Sequence, residues 1–194
     1  MLAELSKSIV GQQIKKKRIR EEERALYEYA YELLLNQTIN ILIAILTAVL
    51  FHASVTVLLF LVSYIPLRSY SGGYHADTHM RCTVVSTLLI IMVCCVMNYV
   101  KSEWILSHYP IAFVLSAAII IWCAPVADRH KPLDEAETAR YRKRSRIVCG
   151  FEILFAMILY FAKIRYGLVI AVSHLILSFM LFLGKLKNRK CHIG

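Results

Sequence analysis

Beyond Asn40 the chain alternates between apolar runs and short polar connections, and this alternation decides what it can fold into. Apolar runs cover residues 40–51, 54–67, 83–100, 110–126, 148–162 and 166–183. A soluble domain is about 45–50% apolar; this chain is 58% hydrophobic, with a mean hydropathy of +0.57. Backbone exposed to lipid must satisfy its own hydrogen bonds, and no period-2 strand pattern is present, so the runs are expected to be helices. The expectation is an all-α membrane protein of about six transmembrane helices in a single domain, 1–194. The first run is short for a bilayer and must borrow from residues 30–38. A turn near 52–54 separates it from the second.

Residues 1–24 are rich in Lys, Arg and Glu and lack the apolar core and cleavage site of a signal peptide. Leu2, Leu5, Ile9 and Ile14 make an apolar stripe, followed by Lys15, Lys16, Lys17, Arg18 and Arg20. This pattern predicts an amphipathic interfacial helix with cations aimed at anionic headgroups.

The formal charge of +10 is distributed unevenly. Cations gather before Ala25, at Arg68 and Arg81, across 127–146 and across 184–194, while 101–109 and 163–165 carry few. The asymmetry predicts both termini, the segment 68–82 and a basic loop over 127–146 on the cytoplasmic side of a cell membrane. Charges split among separated connections do not describe a nucleic-acid binder, and none is expected as a partner. The six cysteines show no paired C-x-x-C spacing, so a disulfide framework is not expected. Cys94, Cys95, Cys123 and Cys149 read as small apolar residues within spans.

The segment 68–82, Arg-Ser-Tyr-Ser-Gly-Gly-Tyr-His-Ala-Asp-Thr-His-Met-Arg-Cys, is the candidate site. Cysteine acts as the thiolate. Cys82 stands at the start of the third span, where the positive end of a helix dipole suits an anionic sulfur. A histidine beside it would move the proton. His79 is three positions away and would be adjacent on a helix. His75 is seven positions away, about 10 Å along a straight helix, and could serve only if the chain bends. Gly72-Gly73 favours irregular backbone there, and its N–H groups could form an oxyanion hole. Arg68 could hold a carboxylate of the substrate. An alternative reading makes His75, His79 and Cys82 ligands of a metal ion in a hydrolase, although the H-E-x-x-H pattern is broken by Ala76. A third reading is a non-enzymatic peptide-export protein, which would need more charges within the spans than are present.

Arg68, Gly72-Gly73, His75-Ala76 and Cys82, with six hydrophobic segments and a basic amphipathic N-terminus, resemble the AgrB family of membrane peptidases over nearly the whole chain, with no departure at these positions. The resemblance implies His75 and Cys82 as the catalytic pair, in place of the His79 that spacing favours. It implies a cysteine endopeptidase acting on a short quorum-sensing propeptide of the AgrD type through a Cys82 thioester. The thioester would then be resolved into a thiolactone or lactone ring. It also implies a homodimer, and neither metal nor cofactor.

Overall fold

The computed structural model describes residues 2–74, 78–100, 102–127 and 133–190. They form α1 (Leu2–Lys15), a 3₁₀ turn at Glu21–Glu23, α2 (Arg24–Leu50), α3 (Ser54–Ser71), α4 (His79–Tyr99), α5 (Glu103–Cys123), α6 (Glu135–Phe161) and α7 (Gly167–Lys190). No strand occurs among the described residues. Five helices, α2, α3, α4, α5 and α7, are long and apolar enough to cross a membrane. The apolar part of α6, residues 147–161, spans only about 22 Å at helical rise, against about 30 Å of hydrocarbon, and contains Glu152. It runs beside α3, α5 and α7 as the sixth member of the bundle.

The chain passes up and down the bundle in order. One end, the loop end, gathers the start of α2, the end of α3, the starts of α4 and α6 and the end of α7. The expected turn over 52–54 is present. Phe51 and His52 leave α2, His52 takes φ +48°, and α3 starts at Ser54. Helix starts follow their caps. Thr78 Oγ1 accepts the Arg81 amide at 3.3 Å to begin α4, and Asp134 Oδ1 accepts the Glu137 amide at 2.5 Å to begin α6.

Several expected boundaries move, among them the start of the third span, expected at residue 83 and found at His79. The basic loop over 127–146 is helical from Glu135 onward, because Asp134 caps it and Glu135 and Glu137 sit on the positive end of its dipole. The fourth span, expected from Pro110, begins earlier, at Glu103. Its polar residues bond back into the helix: Ser107 Oγ donates to the Trp104 carbonyl at 3.0 Å, and the His108 ring stacks on Trp104 at 4.8 Å.

At the N-terminus, α1 folds back along α2. Ser6 and Val10 are buried in that contact while Leu5 stays exposed, so the packed face is shifted from the expected stripe.

Two apolar cores fill the bundle. One gathers Val57, Phe60, Val93, Phe113 and Val169; the other, nearer the loop end, gathers Leu67, Ile120, Cys149, Leu177 and Leu181. Between them lies a polar layer. Ser63 Oγ donates to Glu152 Oε2 at 2.9 Å, His174 Nε2 meets the same oxygen at 2.6 Å, and Ser63 and Ser173 are 2.7 Å apart. This layer ties α3, α6 and α7 together, and Ser71 to Ser145 at 2.8 Å ties α3 to α6 again at the loop end.

Candidate active site

Helix α3 ends because Gly72 adopts φ +71°, a conformation that L side chains resist. Its amide closes the last turn on the Arg68 carbonyl at 2.9 Å. The chain then runs extended beside the segment that follows α5. Val126 donates to the Ser71 carbonyl at 2.9 Å and accepts from the Gly73 amide at 3.2 Å. The Tyr74 amide donates to the Met180 carbonyl of α7 at 2.9 Å. Both glycines are required by contact as well as by conformation. A Cβ on Gly72 would lie 2.1 Å from the Val126 carbonyl oxygen, and one on Gly73 would lie 3.1 Å from that of Met180. In this conformation both amides are committed to the frame of the loop and donate to carbonyls of the protein.

Arg68, one turn before the end of α3, reaches forward to the same loop. Its Nη2 donates to the Tyr74 carbonyl at 2.5 Å, and its guanidinium stands over the Tyr64 ring at 5.8 Å. Its Nη1 is buried without a hydrogen-bond partner. Two elements thus hold Tyr74 in place: α3 through Arg68, and α7 through Met180 and through Lys187, whose Nζ lies 5.2 Å from the Tyr74 ring centre.

On the other side of the loop, Thr78 is extended (φ −137°, ψ 149°) and His79 opens α4. Residues 75–82 are therefore not one straight helix, which is the condition that a His75–Cys82 pairing sets. Cys82 occupies the first turn, its amide bonded to the Thr78 carbonyl at 3.0 Å, and its side chain is partly exposed. The Tyr64 phenol is within electrostatic reach of both Arg68 and the Cys82 sulfur. Beside Cys82, Thr83 Oγ1 donates to Asn36 Oδ1 of α2 at 3.4 Å.

His75, Ala76 and Asp77 lie outside the described residues, as does the side chain of His79. Among the described residues no group of three His, Cys, Asp or Glu side chains is placed to hold a metal ion; two members of the alternative metal set, His75 and the His79 side chain, are not among them. The buried thiols Cys94 and Cys149 sit in the apolar cores, as the sequence leads one to expect.

Sequence reasoning missed Tyr64, the Met180 carbonyl and Gly184. Gly184 of α7 packs directly on the loop: a Cβ there would be 2.8 Å from the Gly73 carbonyl carbon and 2.9 Å from the Tyr74 nitrogen. Its only sequence signal is a glycine directly after the last apolar run, before Lys185.

The sequence model described as Accessory gene regulator B matches residues 6–181. An AgrB-like protein of Lactiplantibacillus plantarum is 23% identical over 91% of this chain and 86% of its own length. An AgrB-like protein of Clostridium perfringens is 29% identical over 75% of this chain and 69% of its own. The accessory gene regulator protein B of Staphylococcus intermedius is 30% identical over 57% of this chain and 59% of its own. No solved structure matches the chain. With the family's match running from α1 into α7 and covering every residue of the loop that joins α3 to α4, the chain belongs to the accessory gene regulator B family.

Proposed function

We propose that the protein is a membrane-embedded cysteine endopeptidase that removes the C-terminal segment of an AgrD-like quorum-sensing propeptide, with Cys82 as nucleophile and His75 as proton carrier. The observation that carries this reading is the position of Cys82. It is a partly exposed thiol in the first turn of α4, after a loop pinned up to Tyr74, the residue before His75.

The Cys82 thiolate adds to the carbonyl carbon at the end of the pheromone segment. Collapse of the adduct breaks the C–N bond, and the leaving nitrogen takes a proton from the His75 imidazolium. The acyl group remains on Cys82 Sγ as a thioester. A thiol or hydroxyl of the same peptide then attacks that thioester and passes its proton to His75. Cys82 leaves as thiolate, and the peptide departs as a thiolactone or lactone. Helix α4 directs its positive dipole end at the sulfur throughout. Arg68, with one buried nitrogen unpartnered, is placed to receive a carbonyl or carboxylate of the substrate. Gly72 and Gly73 position the His75 loop.

The loop end faces the cytoplasm in this reading, with both termini, and two copies act as a homodimer. Chemical crosslinking in membranes reads the dimer. A membrane-impermeant maleimide applied to intact cells should leave a single cysteine placed at residue 78 unlabelled.

The decisive experiment incubates the purified protein with an AgrD-like propeptide and reads the products by intact mass spectrometry. A thioester adduct on Cys82 and a released C-terminal fragment are expected. Cys82→Ala and His75→Ala should each abolish both, His79→Ala should retain them, and a chelator should change nothing. Cleavage that persists in Cys82→Ala removes the thiol mechanism.

A further inference from the structure

At the end of the bundle opposite the loop, a cavity of about 520 Å³ opens between the start of α3, the end of α4 and the start of α7. Its polar lining consists of His52, Ser54, Thr56, Asn98, Arg165 and Tyr166, and it contains no carboxylate. Arg165 is the charged member. Its Nη2 donates to the carbonyls of Met97 and Val100, which close the end of α4, and its Nε is buried without a partner. No carboxylate pairs with Arg165 among the described residues; Glu103 lines the neighbouring cavity that Arg165 also borders, without forming an ion pair with it.

A further feature has the same sign. Ala53, the N-cap of α3, leaves the first amides of the helix with no side chain bonded to them, and Ser54 and Thr56 bring that turn to the cavity wall. An uncapped helix start carries partial positive charge and free N–H donors. Asn98 Nδ2 donates to the Phe51 carbonyl at 3.3 Å and so fixes the turn on which His52 stands. A cation, an uncapped helix start and several hydroxyls around one cavity make a site for an oxyanion.

The surroundings identify what carries that anion. Below the cavity, Val55, Leu58 and Val62 follow one another on the exposed face of α3, at 50%, 61% and 62% exposure. This apolar track continues into the span and is the surface that acyl chains cover. Tyr99, 81% exposed at the end of α4, and Tyr166 stand at the level where aromatic residues border a bilayer.

We propose that the cavity around Arg165, Ser54 and Asn98 is a binding site for the phosphate of an anionic phospholipid headgroup, in the leaflet opposite the catalytic loop. The phosphodiester oxygens meet Arg165 and the first turn of α3, and the acyl chains lie along Val55, Leu58 and Val62. The lipid phosphate gives Arg165 the ion-pair partner that none of the described residues supplies, and joins the starts of α3 and α7 to the end of α4. This site is independent of the peptidase reading, because none of its residues belongs to the loop end.

The test is native mass spectrometry of the full-length protein released from nanodiscs of mixed phosphatidylglycerol and phosphatidylcholine, paired with thermal unfolding in each lipid alone. Ser54→Asp is the informative variant. It places a carboxylate in the first turn of α3, where the helix dipole favours it, so the fold is kept while the anion is repelled. The wild-type protein should retain phosphatidylglycerol preferentially and unfold at a higher temperature in it. Ser54→Asp should lower that retention about tenfold, which is about 1.4 kcal/mol, and remove the thermal difference, because it adds a negative charge at the anion's place. Arg165→Gln should act in the same direction. A wild-type protein with no headgroup preference, or a preference that survives Ser54→Asp, overturns the site. Inorganic phosphate that stabilises the detergent-solubilised protein as much as phosphatidylglycerol does overturns the lipid as occupant.

Discussion

The amide of Tyr74 is hydrogen-bonded to the carbonyl of Met180 at 2.9 Å, which fastens the residue before His75 to the seventh helix. One turn further along that helix, Gly184 lets the loop backbone lie against α7 with no side chain between them. Gly184→Ala would insert a methyl group within 2.8 Å of the Gly73 carbonyl carbon, against backbone that cannot rotate away. Overpacking of this kind costs about 1–3 kcal/mol. Under the proposed function the displaced segment carries His75, so propeptide cleavage should fall by more than the loss of folded protein. Cleavage per folded molecule, normalised by thermal unfolding and circular dichroism, checks this; an unchanged value would show that the loop does not depend on α7.

Thr78 caps α4 one turn before Cys82, so its removal should be felt at the sulfur. Thr78→Ala is expected to cost about 1 kcal/mol of stability, the usual value of a lost N-cap. Thr78→Ser should restore it, since the hydroxyl that accepts the Arg81 amide is kept. Alkylation of Cys82 with iodoacetamide should slow in Thr78→Ala and recover in Thr78→Ser. If both variants react alike, the cap does not organise the first turn around the thiol.

Cysteine reactivity should divide along burial. Cys82 is partly exposed at a helix start, while Cys94 and Cys149 are fully buried in apolar cores. Limited alkylation of the folded protein, followed by peptide mapping, should modify Cys82 while sparing Cys94 and Cys149 until the protein unfolds. Prior addition of the propeptide should protect Cys82. Early modification of Cys149 would contradict the packing of Leu67, Leu177 and Leu181 around it.

What the sequence made legible follows from local physics. The turn over 52–54 was readable because the placement of the basic residues requires the N-terminus and segment 68–82 on one side, while the third span, expected from residue 83, begins one turn earlier at His79, where Thr78 caps it. The helical character of 135–146 was also encoded, in Asp134 followed by Glu135 and Glu137, but the dense cations drew the reading toward a loop. Tyr64, Met180 and Gly184 were not readable. Tyr64 lies in an apolar run with nothing local to mark it, and the Met180 and Gly184 contacts join residues more than a hundred positions apart. Such pairings are decided by how α3 and α7 pack, which no local pattern records.

The polar layer in the middle of the bundle gives the sharpest energetic test. Glu152 Oε2 accepts from Ser63 Oγ at 2.9 Å and meets His174 Nε2 at 2.6 Å, with His174 fully buried and the Glu152 side chain 12% exposed. A single hydrogen bond between membrane helices averages only about 0.6 kcal/mol. Deleting one partner here should cost more than that, because the other is left polar and unpaired where no water replaces it. Breaking a buried pair from one side costs about 3–5 kcal/mol. Glu152→Leu and His174→Leu should therefore each destabilise strongly, with the bond between α3 and α6 at Ser63 lost in the first. The double variant Glu152→Leu/His174→Leu should recover most of the loss, since replacing both members by apolar side chains is often neutral. A double-mutant cycle on thermal or denaturant unfolding reads the coupling directly. Single-variant costs that simply add in the double variant would mean that Glu152 and His174 stabilise the bundle independently, through Ser63 on one side and the Phe113 ring, 4.7 Å from His174, on the other.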